Sequence, residues 1–268
     1  TLDPTRSAIG RLEAGFAMAA NAQHHMGMDM SGALGGDLFT VPAPVVNSGV
    51  TNVGTVNVAF DTANYTKLAA SDYRLSYDGT NFNLDRLSDG TSTTLTGGGP
   101  FNIDGLTISV GSAPAAGDSY LLQPTKMVPR SMALATSDPT KLALASPIQT
   151  ARTTTNISNA TISRGQVLDS TNPSLLNTTQ IVFSNPPSTY QINGAGPLLA
   201  FTSGADIDVN GWRVQVSGAP AAGDSFTIKS NIGGIGDNGN GLALAGLQSK
   251  QLMLGNTATF SGTYGLLT

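Results

Sequence analysis

A seven-residue string, Ala-Pro-Ala-Ala-Gly-Asp-Ser, occurs twice, at Ala113–Ser119 and at Ala219–Ser225. The two copies stay in register without a gap from Ile103–Pro124 against Val209–Ser230. Each opens with a turn pair between apolar residues, Ile103-Asp104-Gly105-Leu106 in one and Val209-Asn210-Gly211-Trp212 in the other. Asp-Gly and Asn-Gly in that setting are strong hairpin signals, because a type I′ turn needs two positive φ angles. Alternating apolar positions follow, Leu106, Ile108, Val110 and Trp212, Val214, Val216. Tyr120–Leu122 and Phe226–Ile228 come after the shared turn. The middle of the chain is therefore a duplicated antiparallel β-unit.

The residues around the duplication extend the pattern. Val56, Val58 and Phe60, then Tyr73, Leu75 and Tyr77, then Phe82 and Leu84 alternate as short strands, with Asp78-Gly79 and Asp89-Gly90 between or after them. Tyr190 and Ile192 are expected to answer to the Tyr73 hairpin, and the shorter path from there to Val209 predicts a trimmed hairpin in the second copy. Met132–Thr136 is expected to add a strand, and Asp138-Pro139 to cap a short helix reaching Ala145.

The ends read differently. Asp3-Pro4 has the form of an N-cap followed by proline at the first helical position, and Gly27 that of a stop. Between them two seven-residue rows, Leu2, Ile9, Phe16 and Leu12, Ala19, Met26, place a sticky stripe on one long helix. A second helix is expected from Asn238 to Leu254, with Leu244, Leu247 and Leu254 on one face and Gly255 as its stop. Thr257–Leu267 reads as the start of a third. The expected fold class is mainly β with a helical base (α+β), two duplicated antiparallel β domains being inserted between N- and C-terminal helices. The expected boundaries are 1–41 and 232–268 for the helical part, 42–146 for the first β domain and 147–231 for the second. Ile9, Leu12, Phe16, Leu244, Leu247 and Leu254 are the expected packing and assembly positions.

Composition narrows the chemistry. The net charge is −4 and charged residues make up only 11% of 268, with no basic block to meet nucleic acid. No apolar run is long enough to span a membrane. There is no cysteine, which removes disulfides, thiolate chemistry and Cys-type zinc sites. Glu13 is the single glutamate, and the aspartates cluster in turn and cap contexts, an architectural use of a short carboxylate. With no cleavable signal peptide in view and no initiator Met, the chain reads as a fragment.

Four candidate sites meet these facts. Gly234-Ile-Gly236-Asp-Asn-Gly239 has the G-x-G-x-x-G form and opens a helix, but no acid follows Asp237 to meet a ribose. His24 and His25 point about 100° apart on a helix and have no cysteine to complete a metal site. Asp29, Ser31 and Asp37 miss the spacing of a calcium loop. Tyr73, Tyr77 and Phe82 suit cross-strand packing better than a sugar platform. No G-x-S-x-G elbow occurs. The expectation is a non-enzyme with no cofactor and no metal.

Two stretches carry a family resemblance. Asp3-Pro-Thr-Arg-Ser-Ala-Ile-Gly-Arg-Leu, Phe16-Ala, Asn21-Ala-Gln-His24 and Gly35-Gly-Asp-Leu-Phe39, together with Gly239-Asn-Gly-Leu-Ala-Leu-Ala-Gly-Leu-Gln through Phe260, resemble the FlgK family of bacterial flagellar hook-associated proteins. The duplicated units look like that family's outer β domains. The resemblance implies a junction subunit between hook and filament, exported unfolded through the flagellar type III pathway to an extracellular position. It implies the hook protein and the second hook–filament junction protein as partners, and ring self-association in the full-length form. Without the family's coiled-coil termini, this fragment is expected to be monomeric. The competing reading is a secreted adhesin-like β module that binds a glycan or a host receptor.

Overall fold

The computed structural model describes residues 2–184, 188–234 and 236–266. The chain divides into two compact units. The first comprises Thr1–Ala22, Asp37–Ser137 and Ala245–Thr268; the second comprises Gln23–Gly36 and Asp138–Leu244. Each therefore holds one copy of the duplicated sequence with a share of the flanking helical segments. Four α-helices are described: α1 Leu2–His25, α2 Val128–Ser131, α3 Gly239–Ala245 and α4 Phe260–Gly265. The rest is mostly short antiparallel strands, which bears out the mainly β fold with helices at both ends.

In the first unit the strands are β1 Phe39–Thr40, β2 Val45–Ser48, β3 Thr55–Phe60, β4 Tyr73–Tyr77 and β5 Phe82–Arg86. They are followed by β6 Ser92–Leu95, β7 Phe101–Ile103, β8 Leu106–Ser112, β9 Ser119–Gln123 and β10 Ala133–Leu134. A five-stranded sheet runs β2-β9-β4-β5-β6, a three-stranded sheet runs β3-β8-β7, and β1 pairs with β10. Leu75, Tyr120, Leu122, Leu106 and Ile108 are fully buried in one core between the inward faces. Period-two alternation selects that face, since successive strand side chains point to opposite sides.

In the second unit the strands are β11 Ile148–Arg152, β12 Thr161–Ile162, β13 Gln166–Val167, β14 Thr179–Phe183 and β15 Thr189–Ile192. They are followed by β16 Ala195–Ala200, β17 Asp206–Val209, β18 Trp212–Ser217 and β19 Ser225–Ser230. The five-stranded order is β11-β19-β14-β15-β16, strand for strand the order of the first unit. Strand β18 takes β17 on one side, as β8 takes β7, and it pairs with both β12 and β13. Ile181, Phe183, Trp212, Val216, Phe226 and Ile228 fill its core. The duplication read from the sequence is a duplication of topology.

Both predicted turns have the predicted geometry. Asp104 and Gly105 have φ of 51° and 74°, and Asn210 and Gly211 have 51° and 81°. Glycine is needed twice over there. A Cβ on Gly105 would lie 2.9 Å from the Leu68 amide nitrogen, and one on Gly211 would lie 2.5 Å from the Asp169 carbonyl oxygen. A third turn of this kind, Asn193-Gly194 with φ of 55° and 64°, joins β15 to β16.

The hairpin correspondence needs correcting. Leu122 pairs with Tyr73 in one unit, and Ile228, its counterpart, pairs with Thr179 in the other. The partner of the Tyr73 strand is thus Thr179–Phe183, while Tyr190 lies one strand later, in the counterpart of β5. No hairpin has been trimmed. Matching tyrosine to tyrosine misled the sequence reading, because the equivalent positions are a tyrosine and a threonine with one shared task. Tyr73 donates its hydroxyl proton to Asp104 at 2.9 Å, and Asn210 donates to the Thr179 hydroxyl at 3.0 Å. Each ties the I′ turn to the start of a core strand.

Helix boundaries also differ from expectation. Helix α1 already includes Leu2, so Asp3 lies within the helix and not at its cap. Asp138 does accept a hydrogen bond from the Thr140 amide, but it starts only a 3-10 turn, Pro139–Lys141. The second helix stops after α3 and a 3-10 turn at Gly246–Ser249, and Leu254 sits in a turn with φ of 53°. Two glycines in its first turn and one at Gly246 account for the short run, since glycine costs about 1 kcal/mol per helical position relative to alanine. Of the predicted third helix only α4 forms within the described residues. Met132–Thr136 yields the two-residue β10.

In the first unit α1 buries Ala8, Ala14, Ala17, Met18, Ala19 and Ala20. Small residues let the helix backbone come close to what it packs on. A Cβ placed on Gly10 would lie 2.3 Å from the Thr125 carbonyl oxygen. Gly10→Ala should therefore destabilise the chain by about 1–3 kcal/mol through overpacking, read as a lower urea midpoint. Gly36→Ala, where a Cβ meets nothing within 4 Å, should shift stability by less than about 0.5 kcal/mol.

Candidate functional site

The expected packing positions have separate fates. In the first unit Ile9 is 39% exposed and Phe16 41% exposed, while Leu12 is half-buried and Leu247 is buried. Phe16 stacks edgewise on Phe260 and at a tilt on Phe39, each with ring centroids 5.7 Å apart. Thus α1, α4 and the segment after Gly35 share one aromatic cluster, whose outer side stays open. Leu254 is 37% exposed and lies outside any helix. Leu244, in the second unit, is half-buried.

Two charged groups also lie on α1. The Arg11 Nε and Glu13 Oε2 atoms are buried and have no hydrogen-bond partner among the described residues. Burial lowers the Arg11 pKa and raises that of Glu13, because removal from water disfavours either charge.

The chemistry candidates resolve into structural roles. His24 is buried in the second unit, where its Nε2 accepts from the Ala143 amide at 2.7 Å. Its Nδ1 therefore carries the proton and donates to the Gly36 carbonyl at 2.6 Å. Both ring nitrogens are spent on backbone. Asp29 is equally committed: Oδ1 accepts from the Ser31 amide, the Ser31 hydroxyl and the Ala33 amide at 2.7–2.9 Å, and Oδ2 meets Lys141 at 3.2 Å. Burial alone would raise its pKa, but these donors outweigh it and hold the carboxyl down to about 2.

Several amides of the glycine-rich turn before α3 are already committed within the chain. Its Gly239 amide donates to Asp237, and the Asn240 and Gly241 amides both donate to the Leu144 carbonyl. Ile235, inside the motif, lies outside the described residues. Tyr73 and Phe82 are sunk in the core of the first unit and Tyr77 is half-buried, so the three form no exposed aromatic platform.

A more regular arrangement went unnoticed in the sequence. Each β-unit is closed at one tip by an asparagine and an aspartate. Asn52 exchanges two hydrogen bonds with the Ser119 backbone at 2.7 and 3.0 Å. Asn156 does the same with Ser225, at 2.8 Å in each direction. Asp118 accepts from the Val53, Gly54 and Ala115 amides and from the Tyr120 hydroxyl. Asp224 accepts from the Ile157 and Ala221 amides and from the Ser158 hydroxyl. Burial pushes both carboxyls up, yet the converging donors prevail and both pKa values are lowered. The readable signal was Thr51-Asn52 and Thr155-Asn156 preceding the twin heptapeptides.

These clamps hold apolar residues out of the core. Val53 is 70% exposed and Ile157 is 83% exposed, each with its own amide fixed by the clamp aspartate. Both tips present a clamped apolar side chain at the end of an antiparallel β-unit, with the clamp aspartate bonded to backbone amides.

Comparison with known proteins is specific. A family model for the D2-like domain of flagellar hook-associated protein 1 matches residues 46–124. Flagellar hook-associated protein 1 of Salmonella typhimurium strain LT2 is 37% identical over 148 residues, and that of Escherichia coli strain K12 is 33% identical over 147. Each match covers 54% of this chain and 27% of the relative, so the matched region is about a quarter of the relatives' length. The structure of the flagellar hook junction protein FlgK from Burkholderia pseudomallei superposes with a TM-score of 0.87 at 32% identity, covering 100% of this chain and 55% of that one. The chain is similar to FlgK through its whole length, in sequence and in fold, and the resemblance read from its ends is borne out.

The clamps carry a pH prediction. The native carboxyls of Asp29, Asp118 and Asp224 lie below the unfolded aspartate value of about 3.9. Their contribution is present above that value and is lost as pH falls through the native values. Urea midpoints should hold between pH 7 and 5 and fall steeply from about pH 4 to 2. A variant with both Asp118→Asn and Asp224→Asn should be weaker at pH 7 and decline less over that acid range.

Proposed function

We propose that this chain is the β-domain-bearing portion of a structural subunit of the bacterial flagellum that joins hook to filament and performs no catalysis. The observation that carries the reading is the match to the FlgK hook junction structure across all of this chain. Its partners are the hook protein and the second hook–filament junction protein, with self-association in a ring for the complete subunit. Its place is extracellular, reached by export through the flagellar type III pathway. Among the described residues no helix is long and apolar enough to cross a membrane, and no group of three or more His, Cys, Asp or Glu side chains could hold a metal ion.

The working parts are proposed as residues 1–41 and 232–268 for the helical portion, 42–146 for the first β domain and 147–231 for the second. Ile9, Leu12, Phe16, Leu244, Leu247 and Leu254 are proposed as the packing and assembly positions. The half-open aromatic cluster at Phe16, and the Arg11 and Glu13 atoms that have no partner among the described residues, support that role on α1. Exposed aromatic carbon and a buried polar atom without a partner are each costly unless other protein completes them.

Two measurements test the proposal. The 268-residue chain alone should sediment as a monomer at micromolar concentration, and a stable ring would contradict the need for further helices. Exchanging this segment for the matching one in a full-length relative should preserve swimming. Phe16→Asp in that chimera should reduce it severalfold, and an immotile chimera with both β-units folded would sink the reading.

A further inference from the structure

Strand β16, Ala195–Ala200, ends the five-stranded sheet of the second unit, with β15 on one side and no strand on the other among the described residues. All six of its residues are exposed. Such an edge leaves a row of main-chain donors and acceptors open to another strand, and folded proteins commonly guard it with charge, above all lysine. No charged residue occurs between Asp169 and Asp206, a stretch that takes in the whole of β14, β15 and β16. Asp206 itself is paired with Arg213 at 2.8 Å.

The duplication shows that the fold does not demand a bare edge. In the first unit the same outer position is held by β6, Ser92–Leu95, and the hairpin that delivers it carries Asp85, Arg86 and Asp89. Strand β6 reads Ser-Thr-Thr-Leu where β16 reads Ala-Gly-Pro-Leu-Leu-Ala, with Leu198 58% exposed. At matched places in one strand order, the guard is present on the first copy and missing from the second.

The backbone fixes which part of the edge is usable. The Phe201 amide donates to the Ser188 carbonyl at 2.8 Å, and Leu199 lies opposite Tyr190. Amides alternate in direction along a strand, so Phe201 and Leu199 turn theirs inward to β15, while Leu198 and Ala200 turn theirs outward. Before Leu198 the ladder is interrupted, because the register shifts between Tyr190 and Ile192 and Pro197 has no N–H to donate. The open stretch is therefore Leu198–Ala200. Laid antiparallel to itself, it sets Leu198 opposite Ala200 of a second copy and Ala200 opposite that copy's Leu198. Each pair exchanges two main-chain bonds, about a two-fold axis at Leu199. Two uncharged edges meet there without repulsion.

We propose that two copies of this chain pair through β16 in that register, which joins two five-stranded sheets into one continuous sheet. The contact is isologous and closes as a dimer. It is separate from the ring proposed for the complete subunit and stands or falls without it. So short a contact is far below the size of a standard interface, and its Kd is on the order of a millimolar. The chain accordingly stays monomeric at micromolar concentration.

Amide exchange of the 268-residue chain tests the pairing directly. Between micromolar concentration and about a millimolar, exchange at Leu198 and Ala200 should slow by roughly twofold, while the Leu199 amide, already turned to β15, should not change. Leu198→Lys, at an exposed position, should remove the concentration dependence with the fold intact. A chain without cysteine allows a second reading. The two-fold axis would set the two Leu199 Cα atoms about 4.5 Å apart, a distance a disulfide spans. Under mild oxidation Leu199→Cys should therefore form its disulfide dimer about tenfold faster than Thr94→Cys on the guarded sister edge. Exchange at Leu198 and Ala200 that ignores concentration, with equal oxidation rates for the two edges, would overturn the pairing. That holds whether the chain stays monomeric, as it would if the edge took a strand of another protein, or associates through a different surface.

Discussion

A carboxylate buried at the tip of each β-unit is the constraint on which the rest of the structure depends. Asp118 and Asp224 each gather backbone amides from two chain segments far apart in sequence, the turn that contains the aspartate and the loop after the first strand. Amides buried at a sheet end would otherwise lack partners, and an unmade hydrogen bond there is expensive. With the aspartate in place the five-stranded and three-stranded sheets close over one core. The I′ turns do the same for the other hairpin of each unit, tethered by Tyr73 to Asp104 or by Asn210 to Thr179. Local polar geometry thus sets register, and register decides which side chains reach the core.

The same economy governs the residues that carry candidate chemistry. His24 braces two carbonyl-bearing and amide-bearing segments, Asp29 folds the loop that follows α1, and the amides at the start of α3 are already bonded. Among the exposed apolar side chains are those on the outer side of the Phe16 cluster and the clamped Val53 and Ile157.

The two copies also act as each other's control. Their strand order is the same, so differences at matched positions stand out against a common frame. Trp212 occupies the place of Leu106 in the core, and its indole nitrogen has no partner among the described residues. Arg152 occupies the place of Ser48 at the tip. Substitutions of this kind alter what each copy presents without altering how it folds.

Much of this was legible in the chain itself, for physical reasons. Two adjacent positive φ angles demand Asp-Gly or Asn-Gly, and alternation betrays a half-buried strand, so the duplicated hairpins and their core faces could be read directly. Helix lengths were read less well: α1 begins before Asp3, and α3 gives way to a 3-10 turn well before Leu254. The match of Tyr73 to Thr179 and the pairing of Asn52 and Asn156 with distant serines both involve residues remote in sequence. Only tertiary structure decides such partners, since hydrogen bonds and cavities are properties of places, and the order of residues along a chain specifies places only after it has folded.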